Sequence, residues 1–416
     1  MPPYVTADLP GTGGQIKRHV EDFIVNEVPL YEYEGVGTHC YIQIEKRGIS
    51  TMETAKQIAR ALGRKTFDIG YAGLKDTRAV ATQWFSVEHL ESARARALDI
   101  PHLKIVGMSR HRNKLKVGHL AGNAFVLKVR NDEWNRAGAS LDEPRKNAEA
   151  IWAVMSRRGV PNFFGPQRFG NRKDNHLLGL ALVKDQPQEF ANRFLGDPDT
   201  TIDHGAVLTA RQLYAKGKLE EAIAEWPGHL NDQRRALVAM ARGKNNPRRA
   251  VMAVDLKLKQ LLVSALQSAM FNEVLTKRMD SFDRVLAGDL CWKHDNGACF
   301  AVPPDSDLPV EQARADAHEI SPSGPMFGHR MTEPTDEPQK IEQGVLEQFG
   351  LTAESFAGPA GSHGGRRALR FFPKDVTIET GGDSRGPYLQ LSFTLPSGSY
   401  ATVVLGEIMK TDVALD

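Results

Sequence analysis

Between Gly73 and Gln83 the chain reads Gly-Leu-Lys-Asp-Thr-Arg-Ala-Val-Ala-Thr-Gln, which sets one carboxylate, Asp76, between two cations, Lys75 and Arg78. An apolar segment (67–72) precedes it and the run Val80 to Val87 reads as a strand, so the carboxylate falls on a connection between strands. Gly73 offers a position where the backbone can turn without a Cβ penalty. Neighbouring cations favour the ionised form of a carboxylate. An ionised carboxylate is suited to attacking a carbon centre or taking a proton. The same spacing also fits an Asp that caps a turn and stays solvated.

The elements that must hold this residue can be read on both sides of it. Cys40 to Glu45 alternates as a strand. Ser50-Thr-Met-Glu53 has the form of a capping box, opening a helix with Ala55, Ile58, Ala59 and Leu62 on one face and Gly63 as its stop. Lys114 to Leu120 and Ala124 to Arg130 both alternate around Ala121-Gly-Asn123. That pattern predicts a hairpin with Asn123 at a loop tip, where an amide can face a ligand. A helix is expected from Pro144 to Arg158. From about Gly159 to Leu369 long helical patterns dominate, such as Asp255 to Met279, broken by Pro- and Gly-rich stretches. Alternation returns at 376–379 and from Tyr388 to Leu395, and a helix is expected from Ala401 to Lys410. A chain that is mixed, then helical, then mixed suggests one domain built from both chain ends, 1–158 with 370–416, and a second, 159–369, grown from a loop.

With 416 residues, 41% of them hydrophobic, the chain exceeds the usual size of a single core, so two domains are the default. A net charge of +2 does not announce a nucleic-acid binder, but its distribution is uneven. Seven Lys or Arg and no acid lie between Ile100 and Asn131, among them Arg110, Arg112, Lys114 and Lys116. Eight cations face the single Asp255 between Arg234 and Lys259. Such stripes are the footprint of a polyanion partner, or else solvated charged faces. Cys40, Cys291 and Cys299 show no CxxC spacing and cannot all pair; with no signal-like N-terminus they indicate reduced thiols in a cytoplasm. No apolar run approaches the roughly 18 residues of a membrane span. The thirteen histidines are scattered, and His102, His111 and His119 lie in a basic stretch without carboxylate or cysteine neighbours, which argues against a metal site.

The stretch around Asp76 resembles the Gly-x-Lys-Asp-x-x-Ala signature of the TruD family of tRNA pseudouridine synthases. Four further blocks, in family order, are similar: Lys17 with Glu21 to Glu27; Arg110 to Lys116 followed by Gly122-Asn-Ala-Phe125; Pro161 to Gly170; and Leu395 to Thr402. The resemblance implies an α+β fold. A pseudouridine-synthase catalytic domain with a mixed, mainly antiparallel sheet carries an inserted, largely helical domain, with an RNA-binding cleft between them. It implies Asp76 as the catalytic residue and Phe23, Asn123 and Tyr400 as substrate contacts. Phe125 is a further aromatic candidate, and Arg110, Arg112, Lys114 and Lys116 are candidates for the RNA backbone. Core packing is the alternative for each aromatic. The reaction isomerises uridine, detaching the base from C1′ and rejoining it through C5, so it needs no metal or other cofactor. The expected partner is tRNA, at the uridine in position thirteen of the D-arm. A cytoplasmic monomer with no obligatory protein partner follows. Two residues depart from the family pattern: Ala81 stands where Thr is usual, and Tyr400 where Phe is common in bacterial relatives. A catalytically silent RNA-binding protein on the same scaffold, or a carboxylate-dependent glycosidase, are the alternatives. The first has no need of Asp76, and the second normally wants a second acid.

Overall fold

The computed structural model describes residues 3–136 and 139–411. The chain forms two compact units, one containing residues up to Val160 and from Phe371 on, the other Pro161–Arg370. The first unit is built on an eight-stranded sheet. Its strands are β1 (Phe23–Pro29), β2 (His39–Arg47), β3 (Gly70–Tyr71), β4 (Val80–Glu88), β5 (Leu103–His111), β6 (Leu120–Val129), β7 (Lys374–Asp383) and β8 (Gly386–Pro396). They lie in the order β7-β8-β6-β1-β4-β2-β5, with β3 also paired to β4. Every pairing is antiparallel except β1 with β4, where Ile24 stands opposite Val80 and Asn26 opposite Thr82.

Alternation places one side chain in two on the face that the helices cover. Helices α2 (Asp142–Arg158) and α3 (Ala401–Met409) share an apolar cluster with β1, β6 and β8. Ile151, Met155, Val404, Leu405 and Ile408 there meet Val25, Leu127, Leu391 and Leu395. Helix α1 (Thr51–Leu62) packs Ala55, Ile58, Ala59 and Leu62 on Ile42 and Ile44 of β2 and Phe85 of β4. Its ends are set locally. The Ser50 hydroxyl accepts from the Glu53 N–H at 3.1 Å, and Gly63 stops the helix in the left-handed region at φ 65°.

The second unit has a 22-residue helix, Leu256–Lys277, whose Leu262, Val263, Leu266, Met270 and Val274 are buried. An antiparallel four-stranded sheet orders 365–368, 320–326, 290–293 and 299–301. Six shorter helices between 175 and 253 close a separate apolar cluster around Phe190, Leu195 and Leu237. The mixed α+β class with a mainly antiparallel sheet and helical additions is the one expected.

The predicted hairpin at 114–130 is not there. Leu103–His111 is the strand, paired with β2, and 112–119 is irregular. There the Leu115 N–H donates to Ser86 Oγ (2.9 Å) and the Gly118 N–H to Ala72 O (2.8 Å), so these backbone groups are satisfied without a strand partner. Residues 121–123 are no loop. They lie inside β6, with Asn123 opposite Glu27 on one side and Leu395 on the other. Gly122 is needed there for space: a Cβ would stand 2.1 Å from the Leu395 carbonyl oxygen and 3.3 Å from Pro396 Cα. Gly122→Ala is therefore expected to spread β6 from β8 and cost about 1–3 kcal/mol of stability. Urea unfolding measures this, and an unchanged midpoint would show that the strands part freely.

Candidate active site

On the helix-covered face the sheet turns from apolar to polar toward its middle. Phe125, Phe393 and Leu395 of β6 and β8 lie in the core, whereas Glu27, Asn123, Gln83 and Lys46 occupy neighbouring inward positions on β1, β6, β4 and β2. The segment Ala72–Ala79, between β3 and β4, carries Asp76 and is fastened to this polar patch. The Gln83 amide N–H₂ donates to Gly73 O at 3.2 Å. The Thr51 hydroxyl donates to Gln83 Oε1 at 2.8 Å and accepts the Lys75 N–H at 2.9 Å. The first residue of α1 thereby joins a core glutamine to the loop. Gly73 itself does not adopt the left-handed conformation; a Cβ there would make ordinary contacts with Lys75 Nζ at 3.5 Å and Leu120 at 3.6 Å.

Three lysines surround the aspartate, and their roles differ from the linear reading. Lys75, adjacent in sequence, turns its ammonium inward to Glu27, 2.7 Å away. The two charged atoms touch without the alignment of a hydrogen bond, and both side chains are buried. Arg78 donates to the Lys17 carbonyl at 3.3 Å. The cation on the carboxylate is Lys17, whose Nζ is 3.0 Å from Asp76 Oδ1. Lys17 has a backbone φ of 56°, uncommon for a residue with a Cβ, and its ammonium lies 4.3 Å from the centroid of the Phe23 ring. Its side chain is 4% exposed, whereas that of Asp76 is 41% exposed. The carboxylate therefore reaches accessible space while its counter-ion does not. Lys46 Nζ donates to the carbonyls of Ile49 (2.6 Å) and Asp76 (2.9 Å).

The other predicted residues divide. Asn123 stands beside Glu27, one ion pair away from the loop, and its enclosed Oδ1 has no hydrogen-bond partner among the described residues. A buried amide oxygen in that state is costly unless something supplies a donor. Tyr400 is half-buried at the N-cap of α3, after a turn held to β6 by the Ser397 N–H donating to Ala121 O at 2.9 Å. Phe23 and Phe125 are core side chains, edge to face at 6.0 Å, and Phe23, only 2% exposed, presents no open face. Arg110 donates to the carbonyls of Gly37 and Leu90 and Lys114 to that of Phe67, so both brace main chain. Arg112 and Lys116 are the exposed cations of that stretch, Arg112 pairing only at the surface with Glu34 (3.1 Å). Sequence reasoning assigned no role to Lys17, Glu27 or Gln83 within their blocks, and it passed over Lys46. Lys46 had one local signal: it continues the inward-facing series Cys40, Ile42, Ile44, where a lysine does not belong.

Thr51→Val removes a donor and an acceptor at constant shape, leaving the Lys75 N–H and Gln83 Oε1 buried and unpaired. It is expected to cost about 1–3 kcal/mol and to speed amide hydrogen exchange at Lys75. Unaltered exchange there would mean that the loop is held by other contacts.

The family model described as "tRNA pseudouridine synthase D (TruD)" matches residues 1–408. A tRNA pseudouridine synthase D of Geobacter sp. (strain M21) is 42% identical over 98% of this chain and 99% of its own. That of Geobacter sulfurreducens is 42% identical over 98% of this chain and 96% of its own. The crystal structure of a putative tRNA pseudouridine synthase D from Methanosarcina mazei superposes with a TM-score of 0.80 at 27% identity, covering 98% of this chain and 96% of that one.

Proposed function

The chain belongs to the TruD family of tRNA pseudouridine synthases, and on that premise we propose that it isomerises a uridine of tRNA with Asp76 as the reacting carboxylate. The target we assign is the uridine at position thirteen, in the D-arm. The observation that carries the reading is the accessible Asp76 carboxylate paired with the buried ammonium of Lys17 at 3.0 Å. An anion held by a cation that solvent does not reach keeps its orientation, which is what attack on a sugar carbon requires.

In the reaction the N1–C1′ bond breaks with its electron pair going to the uracil, the base turns, and C5 bonds to C1′. The C5 proton then leaves and N1 gains one, so atoms balance without an oxidant. Asp76 can serve by adding to C1′ and being displaced by C5, or by removing and returning the C2′ proton. Either route uses the Asp76 carboxylate. The uracil must leave its stack to reach it, at a cost of a few kcal/mol. Tyr400, half-buried at the head of α3, offers a stacking face worth about 1–3 kcal/mol. The unpaired Oδ1 of Asn123 suits the N3–H of uracil. Phe23 acts at one remove, with its ring beneath the Lys17 ammonium.

Asp76→Asn keeps size and loses the nucleophile and base. It is expected to melt and bind tRNA like the wild type while forming no product in single-turnover assays. Turnover within about tenfold of wild type would move the chemistry to another residue. Arg112 and Lys116, rather than the whole stripe, are expected to meet phosphates. Arg112→Glu with Lys116→Glu should weaken tRNA binding broadly and lower the salt slope by about one to two units, without changing which uridine is modified. Unchanged affinity would make these two cations ordinary surface charge.

A further inference from the structure

Lys46 is the most expensive residue near the loop for which the reaction as described has no use. It sits one residue before the end of β2, opposite Ala81 of β4, and is completely buried. Among the described residues no carboxylate oxygen is paired with its ammonium. Its two hydrogen bonds go to main-chain carbonyls, those of Ile49 at 2.6 Å and Asp76 at 2.9 Å. A methionine would fill the same inward position of a strand without dehydrating a charge. The sheet does not require the ammonium, because β2 is already paired along its length with β4 and β5. Its contacts do point to one task. They join the turn that leads into α1 to the backbone of the aspartate itself.

We propose that Lys46 is a positioning residue for the isomerisation, its buried ammonium fixing the Asp76 main chain from behind while Lys17 fixes the carboxylate from the side. The aspartate is then restrained at both ends of its side chain, by residues from β2 and from the segment before β1. Small errors in the approach of a reacting group cost large factors in rate, so restraint of this kind acts on turnover more than on affinity. The inference rests on Asp76 being the reacting carboxylate.

Protonation supplies a readout that mere packing lacks. Burial pushes the Lys46 ammonium down to about 8, against the pull of the Asp76 carboxylate, and the Lys75 ammonium adds to the fall. Lys75 is itself neutralised by Glu27, and Lys17 is occupied by the Asp76 carboxylate. The sign is that of a lysine with a lowered value: the ammonium is intact below about pH 8 and lost above it. A neutral amine keeps two N–H groups, but its bonds to the carbonyls are no longer charge-assisted. Turnover therefore falls as pH rises through this range. Folding stability from this group moves the other way, because the unfolded chain holds the proton more tightly between about 8 and the ordinary lysine value.

The test is single-turnover kinetics and tRNA affinity on the full chain, from about pH 6.5 to 9.5, for wild type, Lys46→Met, Lys46→Arg and Asp76→Asn. The wild-type rate constant is expected to decline above about pH 8 with affinity unchanged. Lys46→Met should lose about ten- to a hundredfold in rate per folded molecule at neutral pH, with affinity within about twofold. Lys46→Arg, charged throughout, should recover much of that rate and lose the alkaline decline. A Lys46→Met rate within about twofold of wild type would overturn the proposal, as would a wild-type profile flat through pH 8 or an arginine variant that keeps the decline. If the methionine variant does not fold, the wild-type and arginine profiles decide. Active Asp76→Asn would sink the assignment of Asp76, whereas an inactive Asp76→Asn beside unaffected Lys46 variants would sink only the present inference.

Discussion

The contact between Lys17 and Asp76 spans 59 positions of sequence, and one feature of the sheet makes it possible. Strands β1 and β4 run parallel, so the segments that lead into them enter at the same end. Lys17 lies six residues before Phe23 and Asp76 four before Val80, and the register Ile24 opposite Val80 brings the two lead-ins together. An antiparallel pairing would have sent them to opposite ends. A parallel pair demands a long crossover, and here it is β2, α1 and β3. Those same elements deliver Lys46 and Thr51 to the underside of the loop.

The polar patch under the loop is bought with stability. Replacing a buried ion pair such as Glu27–Lys75 by apolar side chains is commonly neutral or stabilising by about 1–4 kcal/mol, whereas removing one member costs about 3–5 kcal/mol. An unpaired amide oxygen at Asn123 and a buried ammonium at Lys46 add to the same side. A few residues along each strand, the pattern is ordinary packing: Val25, Phe125 and Phe393 in one row. The sheet thus spends its interior unevenly, apolar beneath α2 and α3 and polar beneath Asp76.

What could be read from the chain follows the range of the interactions. Helix α1 was legible to its ends because a Ser cap, an apolar face and a left-handed Gly are all local. Asp76 stands out in the chain because its block resembles a family's. The sheet order, with its C-terminal strands beside β6, carries no local signal. The strand before Asn123 was misplaced because Lys114 to Leu120 alternates as well as Leu103–His111 does, and only pairing with β2 distinguishes them. Charge was misread for a related reason. Lys75 and Arg78 flank Asp76 in sequence, yet one turns to Glu27 and the other to a carbonyl, and the partner comes from far upstream. Proximity along the chain says little about proximity of charged tips at the ends of long side chains.

The division of the first unit into two stretches of chain also fixes an order of assembly. Strand β6 pairs on one side with β1, made earlier, and on the other with β8, which follows only after residues 161–370. At roughly 5–20 residues per second, the ribosome needs about 10–40 s to cross that gap. During this interval Phe125, Leu127 and Val129 have neither their strand partner nor α3 to cover them. The emerging protein carries an open sheet edge next to an exposed apolar face, the situation in which chaperones bind and edges misassociate. Tyr400 is delivered last of all the candidate site residues, only after β8, the strand that completes the sheet, has been made.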